Sequence, residues 1–599
     1  MSQTLVATSP DRIKQDSIRA VDNQSAFTAT VTAEEIEPNL FDYHIRIDFG
    51  QTIKPPPIQI DWFVPILDVA GKWHPTIGAD RSLTANWVTT IKTYATLGAP
   101  VVAFFSAQGD NRHTFALSDA INPIGIRTQV EEEDSSINCR IVLFDSEWPE
   151  IDSYEITIRV DERPTPYHQA IAAIGQWWSA MPPYKPAPVP ESAYEPVYST
   201  WYSFHQKLSA AEVEANCQWS NELGCKTVIL DDGWQTEDNN KGYAFCGDWE
   251  IAQSKFPDFR GHVANVRELG MQYLVWFSVP FIGPKSQVWA SYQNKTLLKE
   301  PVGSAACLDP RFASVRQMII DCYRSAVEDW NIDGLKLDFV DRFTAEKPVT
   351  ADDETADMVS VPAAADRLFT AIMSQLRELK PEILIEFRQA YIGPAMRKYG
   401  NIFRAHDCPN DALSNLTRTI DLRLLSGNTA VHSDMVMWNP NESVERAAMQ
   451  LWATLFSVPQ ISVKKGAIPA DHEQMLATFL QFWRQRKELL MHGNLNPTQP
   501  LNLYPSVHIE NEQEHLVAIY QDKHIAEISA STASRNLTLV NATSQPALYI
   551  EYNGCNTTQT LQVHDCKGDI VGHATLDNSA AIQMIEIPSA GFAVATQPA

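Results

Sequence analysis

The sequence predicts a multidomain α/β protein: a (β/α)8 barrel flanked by an N-terminal and a C-terminal β-sandwich. Three observations carry this reading. At 599 residues the chain is too long for one hydrophobic core, so several domains are expected. Between about residues 195 and 490, eight short apolar runs alternate with amphipathic helical periods, the pattern of a closed parallel barrel. On either side of that stretch, strand-like alternation replaces most of the helical period.

The first 190 residues are read as the N-terminal β-sandwich with its linker. Phe41, Tyr43, Ile45, Ile47 and Phe49 alternate with polar residues, which puts all five on one face of a strand. Val101–Phe105 and Ile141–Phe144 predict further strands, and Tyr167–Met181 a helix. The Pro-rich segment 181–190 that follows is stiff and extended, as at a domain boundary. The barrel, 191–495, takes strands at Val197–Tyr202, Thr227–Leu230, Gln272–Phe277, Gly334–Phe339, Ile383–Phe387, Ile402–Ala405, Thr429–His432 and Gln460–Val463. Helices fall between them, among them Glu212–Leu223, Val315–Trp330, Ala364–Leu379 and Val444–Phe456. From 496 to 599, His515–Gln521, Leu537–Val540 and Ala547–Tyr552, set apart by polar turns, predict the C-terminal β-sandwich.

Bulk properties narrow the partners. The formal charge of -26 repels a phosphate backbone, so nucleic acid is excluded as a ligand. No apolar run approaches the roughly 18 residues a membrane span needs. Residues 1–10 lack a basic-then-apolar leader, and the nine cysteines are scattered singly without C-x-x-C. That suits reduced thiols and a cytoplasmic setting. A homo-oligomer stays open.

Catalytic side chains of such barrels project from the C-terminal ends of the strands. Strand two ends in Asp231-Asp232-Gly233-Trp234, strand three carries Trp276, and strand four carries Lys336 and Asp338. Strand five ends in Glu386-Phe387-Arg388-Gln389, strand six in Arg404-Ala405-His406-Asp407 with Asp411 beyond, and strand seven in His432-Ser433-Asp434. One such carboxylate is ordinarily a loop charge or a helix cap. Six loaded strand ends make a site, and its composition suits a carbohydrate substrate. Asp231 and Asp232 offer paired acceptors for vicinal hydroxyls, and Trp234 and Trp276 an aromatic wall for a sugar ring. Cleaving a glycosidic bond takes two carboxylates in different environments, for which Asp338 and Asp407 are the candidates. Lys336, two residues before Asp338, points the same way and favours the ionised form a nucleophile requires. His432 and Asp434 are expected to bond substrate or orient Asp407. His406, Asp407, Asp411, His432 and Asp434 also suggest a metal, but strand one lacks the His-x-His usual in metal-dependent barrel hydrolases, so no metal is assigned.

Leu230-Asp231-Asp232-Gly233-Trp234, the downstream Gly247-Asp248-Trp249 and Lys255-Phe256-Pro257, and Lys336-Leu337-Asp338 resemble the clan D α-galactosidases, most closely glycoside hydrolase family 36, the melibiases and raffinose synthase-like proteins. The resemblance covers the barrel, about half the chain. It implies a retaining, exo-acting α-galactosidase-like hydrolase without a cofactor. Asp338 would be the nucleophile and Asp407 the acid/base, while Asp231, Asp232, Trp276 and Lys336 would hold the galactosyl unit. Three places depart from the family pattern. Glu386-Phe387-Arg388-Gln389 stands where a Cys-x-x-Gly-Gly loop is usual, Trp276-Phe277-Ser278-Val279-Pro280 where Trp-x-Glu-Pro-Glu is usual, and Arg404-Ala405-His406 where a tryptophan often precedes the acid/base. The pocket is thus more charged than a plain galactose site. A sugar bearing a carboxylate, sulfate or modified hydroxyl, transglycosylation to a sugar acceptor, and a non-catalytic sugar-binding barrel all stay open.

Overall fold

A computed structural model describes residues 12–596 except 23–24, 86–89, 298–303, 345–355, 389–390, 530–534, 553–557 and 578. The opening ten residues and Gln389 therefore lie outside the described residues. All eight expected barrel strands form one parallel sheet: β1 (Val197–Ser199), β2 (Thr227–Leu230), β3 (Gln272–Ser278), β4 (Gly334–Asp338), β5 (Leu384–Arg388), β6 (Ile402–Arg404), β7 (Ala430–His432) and β8 (Gln460–Ile461). Strand β8 returns to β1, and the isolated bridges His432–Val458 and Val436–Ile461 span the gap between β7 and β8.

Each strand is followed by a helix, from Ala210–Leu223 after β1 to Ala470–Gln485 after β8. Local sequence sets several helix starts: Ser209, Asp258, Ser360, Asp411 and Ser443 each cap a helix by accepting a backbone N–H from its first turn. Four strands stop short of expectation, β6 at Arg404 and β8 at Ile461 besides β1 and β4, and the differences at β1 and β4 shape the site. β1 ends at Ser199, because Thr200 takes helical angles and Trp201–Phe204 forms a short helix. β4 ends at Asp338, because Phe339 adopts a left-handed backbone with φ 62°.

The N-terminal region packs two sheets face to face. Strand Leu40–Ile53 alternates as its sequence demands, burying Phe41, Tyr43, Ile45, Ile47 and Phe49 against Trp62 and Ile141 of the opposite sheet. The C-terminal region packs a seven-stranded sheet on a three-stranded one, with Leu539 and Val517 meeting Ile550 and Ile585 in its core. Among the described residues no helix is long and apolar enough to cross a membrane.

One buried polar cluster ties three parts of the chain together. Asp421, on the helix before β7, accepts two hydrogen bonds from Arg81 at 3.0 Å and one from Trp73 Nε1 at 2.9 Å. The hydroxyl of Tyr504 donates to the same carboxylate at 2.5 Å and accepts from Arg81 at 2.7 Å. Nearby, the Tyr167–Ala180 helix lies so close to the same barrel helix that a Cβ on Gly175 would meet the Leu425 carbonyl oxygen at 2.9 Å. Asp421→Ala strips the carboxylate from a buried guanidinium, and loss of a buried partner costs about 3–5 kcal/mol. The melting temperature of that variant should fall by several degrees, with a smaller fall for Asp421→Asn.

Candidate active site

Strand periodicity places the working side chains. Residues two apart on a strand point the same way, so Lys336 with Asp338, and Glu386 with Arg388, face the barrel interior in stacked pairs. The register sets Lys336 beside Glu386 and Arg388 beside Arg404. The cavity at the mouth is lined by Trp201, Asp231, Asp232, Tyr243, Trp276, Lys336, Asp338, Phe339, Arg388, Arg404 and Asp407.

Its centre is one guanidinium between two carboxylates. Arg388 donates from Nε to Asp338 at 2.5 Å and from Nη1 to Asp407 at 2.9 Å. Asp338 also accepts from Trp276 Nε1 at 3.0 Å, from its neighbour's backbone N–H at 2.7 Å and from the Tyr391 hydroxyl at 3.5 Å. Phe339, next in the chain, holds its bulky side chain in the left-handed region, a strained geometry for such a residue. The Arg388 guanidinium lies over its ring, 5.1 Å from the centroid, and Phe281 stacks on that ring at 4.7 Å.

Asp407 is bound from a second side by Arg404, at 2.8 Å. Partial desolvation would raise the Asp407 carboxyl, whose side chain stays 43% exposed, but Arg404 and then Arg388 outweigh this and lower its pKa. Arg404 is wholly buried and also pairs with Asp434, while its Nε faces Glu386 at 3.9 Å. Asp434 in turn accepts from the Tyr202 hydroxyl at 2.8 Å and the Cys408 backbone N–H at 2.7 Å.

On the other side of the mouth, Lys336 closes on Asp231 at 2.5 Å. This corrects the sequence reading, in which Lys336 was the cation serving Asp338; that partner is Arg388. Asp232 accepts from Gln206 at 2.8 Å and Gln235 at 2.6 Å, yet burial pushes its pKa up to about 6 against both bonds. The Asp-Asp-Gly-Trp turn depends on Gly233. It has φ 117°, and a Cβ there would lie 2.5 Å from the Gln206 backbone. Lys255 fastens this turn by donating to the carbonyls of Gln206 and Gly233, each at 2.8 Å.

The melibiase family profile matches residues 192–493, half of the chain and nearly all of the barrel. The chain belongs to the melibiase family. Among curated relatives, α-galactosidase Mel36A of Lactobacillus acidophilus is 27% identical over 153 residues, covering 24% of this chain and 19% of that protein. An Escherichia coli α-galactosidase is 29% identical over 102 residues, covering 17% and 14%. The matched segments thus span about a fifth or less of these relatives' length. In fold the likeness is broader. The family 36 α-galactosidase AgaA of Geobacillus stearothermophilus superposes with a TM-score of 0.66 at 16% identity, over 96% of this chain and 82% of that one. The α-galactosidase of Lactobacillus brevis gives 0.67 at 12% identity, over 98% and 88%.

Within this melibiase barrel the structure gathers Asp231, Asp232, Trp276, Lys336, Asp338, Arg388, Arg404 and Asp407 around one cavity and leaves the other expected site residues outside its lining. Trp234 is no sugar wall. It is fully buried against Trp249, Phe277 and Trp330, and its Nε1 donates to the Trp276 carbonyl. His432 turns into the barrel, bonding the Ala193 carbonyl at 2.8 Å and Gln460 at 3.2 Å, so it touches neither the cavity nor Asp407. Glu386 is a buried counter-ion beneath the cavity, bonded by Gln460 at 2.6 Å. Asp411 caps the next helix through Ser414. His406 stands half-buried outside the lining, where burial and then Arg418 lower its pKa to about 4. Asp434 acts from below, as a support for Arg404.

Trp201, Tyr243 and Phe339 supply the aromatic wall that Trp234 does not. The sequence signal for Trp201 was the Ser-Thr-Trp-Tyr end of β1, hidden by reading the strand through to Tyr202.

The raised pKa of Asp232 has a stability consequence. Between the unfolded-state value of about 3.9 and the folded value of about 6, the folded protein binds more protons. Its stabilising contribution is therefore present below pH 4 and is lost as pH rises through 6. The melting temperature of Asp232→Asn relative to the unsubstituted protein should rise from pH 4 to pH 7; a difference that does not change with pH would contradict the assignment.

Proposed function

We propose that this chain is a retaining, exo-acting α-glycoside hydrolase of the α-galactosidase type. The observation that carries the reading is the pairing of Asp338 and Asp407 across a single guanidinium in the barrel mouth, beside the Asp231–Lys336 pair and an aromatic wall. Retention calls for carboxyl groups about 5–5.5 Å apart and inversion for about 6.5–9.5 Å; the shared guanidinium brings both groups into one mouth. The curated relatives, all α-galactosidases by name, support the same class.

In the proposed reaction the Asp338 carboxylate attacks C1 of the bound sugar. The bond from C1 to the leaving oxygen breaks, and Asp407 gives that oxygen its proton. Water then attacks C1 of the glycosyl ester, loses a proton to Asp407, and releases Asp338. Trp276 Nε1, the Phe339 N–H and Arg388 stabilise the Asp338 carboxylate as it leaves the ester, since all three donate to it in the resting site. Asp231 and Asp232 accept hydroxyls of the ring, and Lys336 orients Asp231.

Asp338→Ala and Asp407→Ala should each cut turnover of an activated α-glycoside at least about 1,000-fold without loss of fold by circular dichroism. Azide should rescue Asp338→Ala and give the β-glycosyl azide. A normal rate in either variant would remove the assignment, and an α-azide would remove the retaining mechanism.

A further inference from the structure

The double displacement asks opposite things of Asp407, which gives a proton in the first step and takes one in the second. Arg404 at 2.8 Å and Arg388 at 2.9 Å both favour its ionised form. How strongly Arg404 does so depends on what else holds its charge. Its guanidinium is shared: Nη2 donates to Asp407, Nη1 pairs with Asp434, and Nε faces Glu386 at 3.9 Å. Asp434 is fixed at its backbone and at its carboxylate. Its N–H donates to the Asn415 side chain at 3.0 Å, and that side chain donates back to the Asp434 carbonyl at 3.1 Å. Its Oδ2 accepts from the Cys408 backbone N–H at 2.7 Å and from the Tyr202 hydroxyl at 2.8 Å.

Burial works against the charge on Asp434 and raises its pKa, while Arg404, the Cys408 N–H and Tyr202 pull it back down. A carboxylate so buried needs its donors to stay ionised. Of the two on Oδ2, Cys408 offers only its backbone, so Tyr202 is the donor that a side chain supplies. Burial and then Asp434 push the Tyr202 phenol well above its ordinary value, so it keeps its proton and remains a donor. Tyr202 is half-buried and lies outside the cavity lining, on the short helix Trp201–Phe204 whose Trp201 belongs to that lining.

We propose, resting on the double-displacement reading above, that Tyr202 is a positioning residue for the acid/base, acting through Asp434 and Arg404. Its hydroxyl keeps Asp434 ionised, Asp434 takes up charge from Arg404, and Asp407 is then able to accept a proton. Without the hydroxyl, Asp434 shifts toward its neutral form. Arg404 then turns more of its charge on Asp407 and shrinks the protonated fraction that the first step uses. The other charged or titratable groups here are Arg388 on β5 and Lys336 on β4, both facing Asp407, and His406 beside it. Arg418 donates to the Asp407 carbonyl at 3.0 Å, and the Cys408 thiol lies near Asp434. Tyr202→Phe leaves all of these in place.

Two galactosides that differ in what their leaving group needs separate this role from a structural one. The sugar leaving group of melibiose must take a proton from Asp407, whereas the fluoride of α-galactosyl fluoride departs as an anion and takes none. Tyr202→Phe should lower kcat/KM for melibiose at pH 7 about tenfold, the loss of protonated fraction that one pKa unit brings. Its pH optimum should move to lower pH, while turnover of α-galactosyl fluoride stays near that of the unsubstituted protein. Asp434→Asn should move the melibiose optimum the same way and further. Equal losses on both substrates with an unmoved optimum mean a structural role and overturn the proposal. An optimum that rises, or no change in Tyr202→Phe, overturns it as well. Should Asp434→Asn fail to fold, Tyr202→Phe, which removes a single oxygen, decides alone. No turnover of either galactoside by the unsubstituted protein, or turnover indifferent to Asp338→Ala, would instead remove the hydrolase reading and this role with it.

Discussion

Six carboxylates, those of Asp231, Asp232, Asp338, Glu386, Asp407 and Asp434, converge in and just below one barrel mouth, and three cations pair five of them. Lys336 takes Asp231, Arg388 joins Asp338 to Asp407, and Arg404 joins Asp407, Asp434 and Glu386. Neighbouring like charges in a desolvated site disfavour ionisation unless a counter-ion intervenes. The two extremes of the site follow. Asp232, which has amide partners but no cation among the described residues, is pushed up to about 6, while Asp407, with two arginines, is held down. One mouth thus contains a carboxyl near its titration point and another locked in its ionised form.

The scaffold meets this demand by rigidity on the far side of the strands. The β-sandwich regions are not loosely appended, since Arg81 and Trp73 from one and Tyr504 from the other share Asp421 on a barrel helix. That helix runs from the Asp411 cap, a few residues past Asp407, to the start of β7. Fixing it fixes the strand end that presents Arg404 and Asp407. Buried polar clusters of this kind add little net stability over an apolar core but hold a single arrangement once their partners are complete.

Much of this was legible in the sequence, and the parts that were not share a cause. The eight strands were readable because parallel barrel strands are short, apolar and bounded by helix caps such as Ser209 and Asp411. Residues at i and i+2 on one strand were readable for the same reason, which is why Lys336 was found facing the mouth with Asp338, while Glu386 and Arg388 were read only as parts of one strand end. Orientation beyond the strand was not. Trp234 and Trp276 look alike in sequence, but the turn at Gly233 sends Trp234 into the wall behind the sheet while Trp276 stays on β3 facing the mouth. The left-handed Phe339 and the early end of β1 at Thr200 depend on tertiary contacts with Arg388 and Asp231, and local propensity carries no sign of either. Pair assignments among charges failed too. Sequence proximity made Lys336 the partner of Asp338, whereas the barrel curve carries its ammonium to β2 and brings Arg388 from the neighbouring strand instead.

Strand-end substitution is an economical way to change what such a barrel accepts. The sheet is held by backbone pairing and apolar layers, while Arg388 at the tip of β5 is buried against charged partners and the Phe339 ring. Its charge is not free. Placing Arg388 between Asp338 and Asp407 joins the two carboxylates into one ion-paired unit. The charged tip of β5 thereby ties together two strand ends that the sheet itself does not join directly.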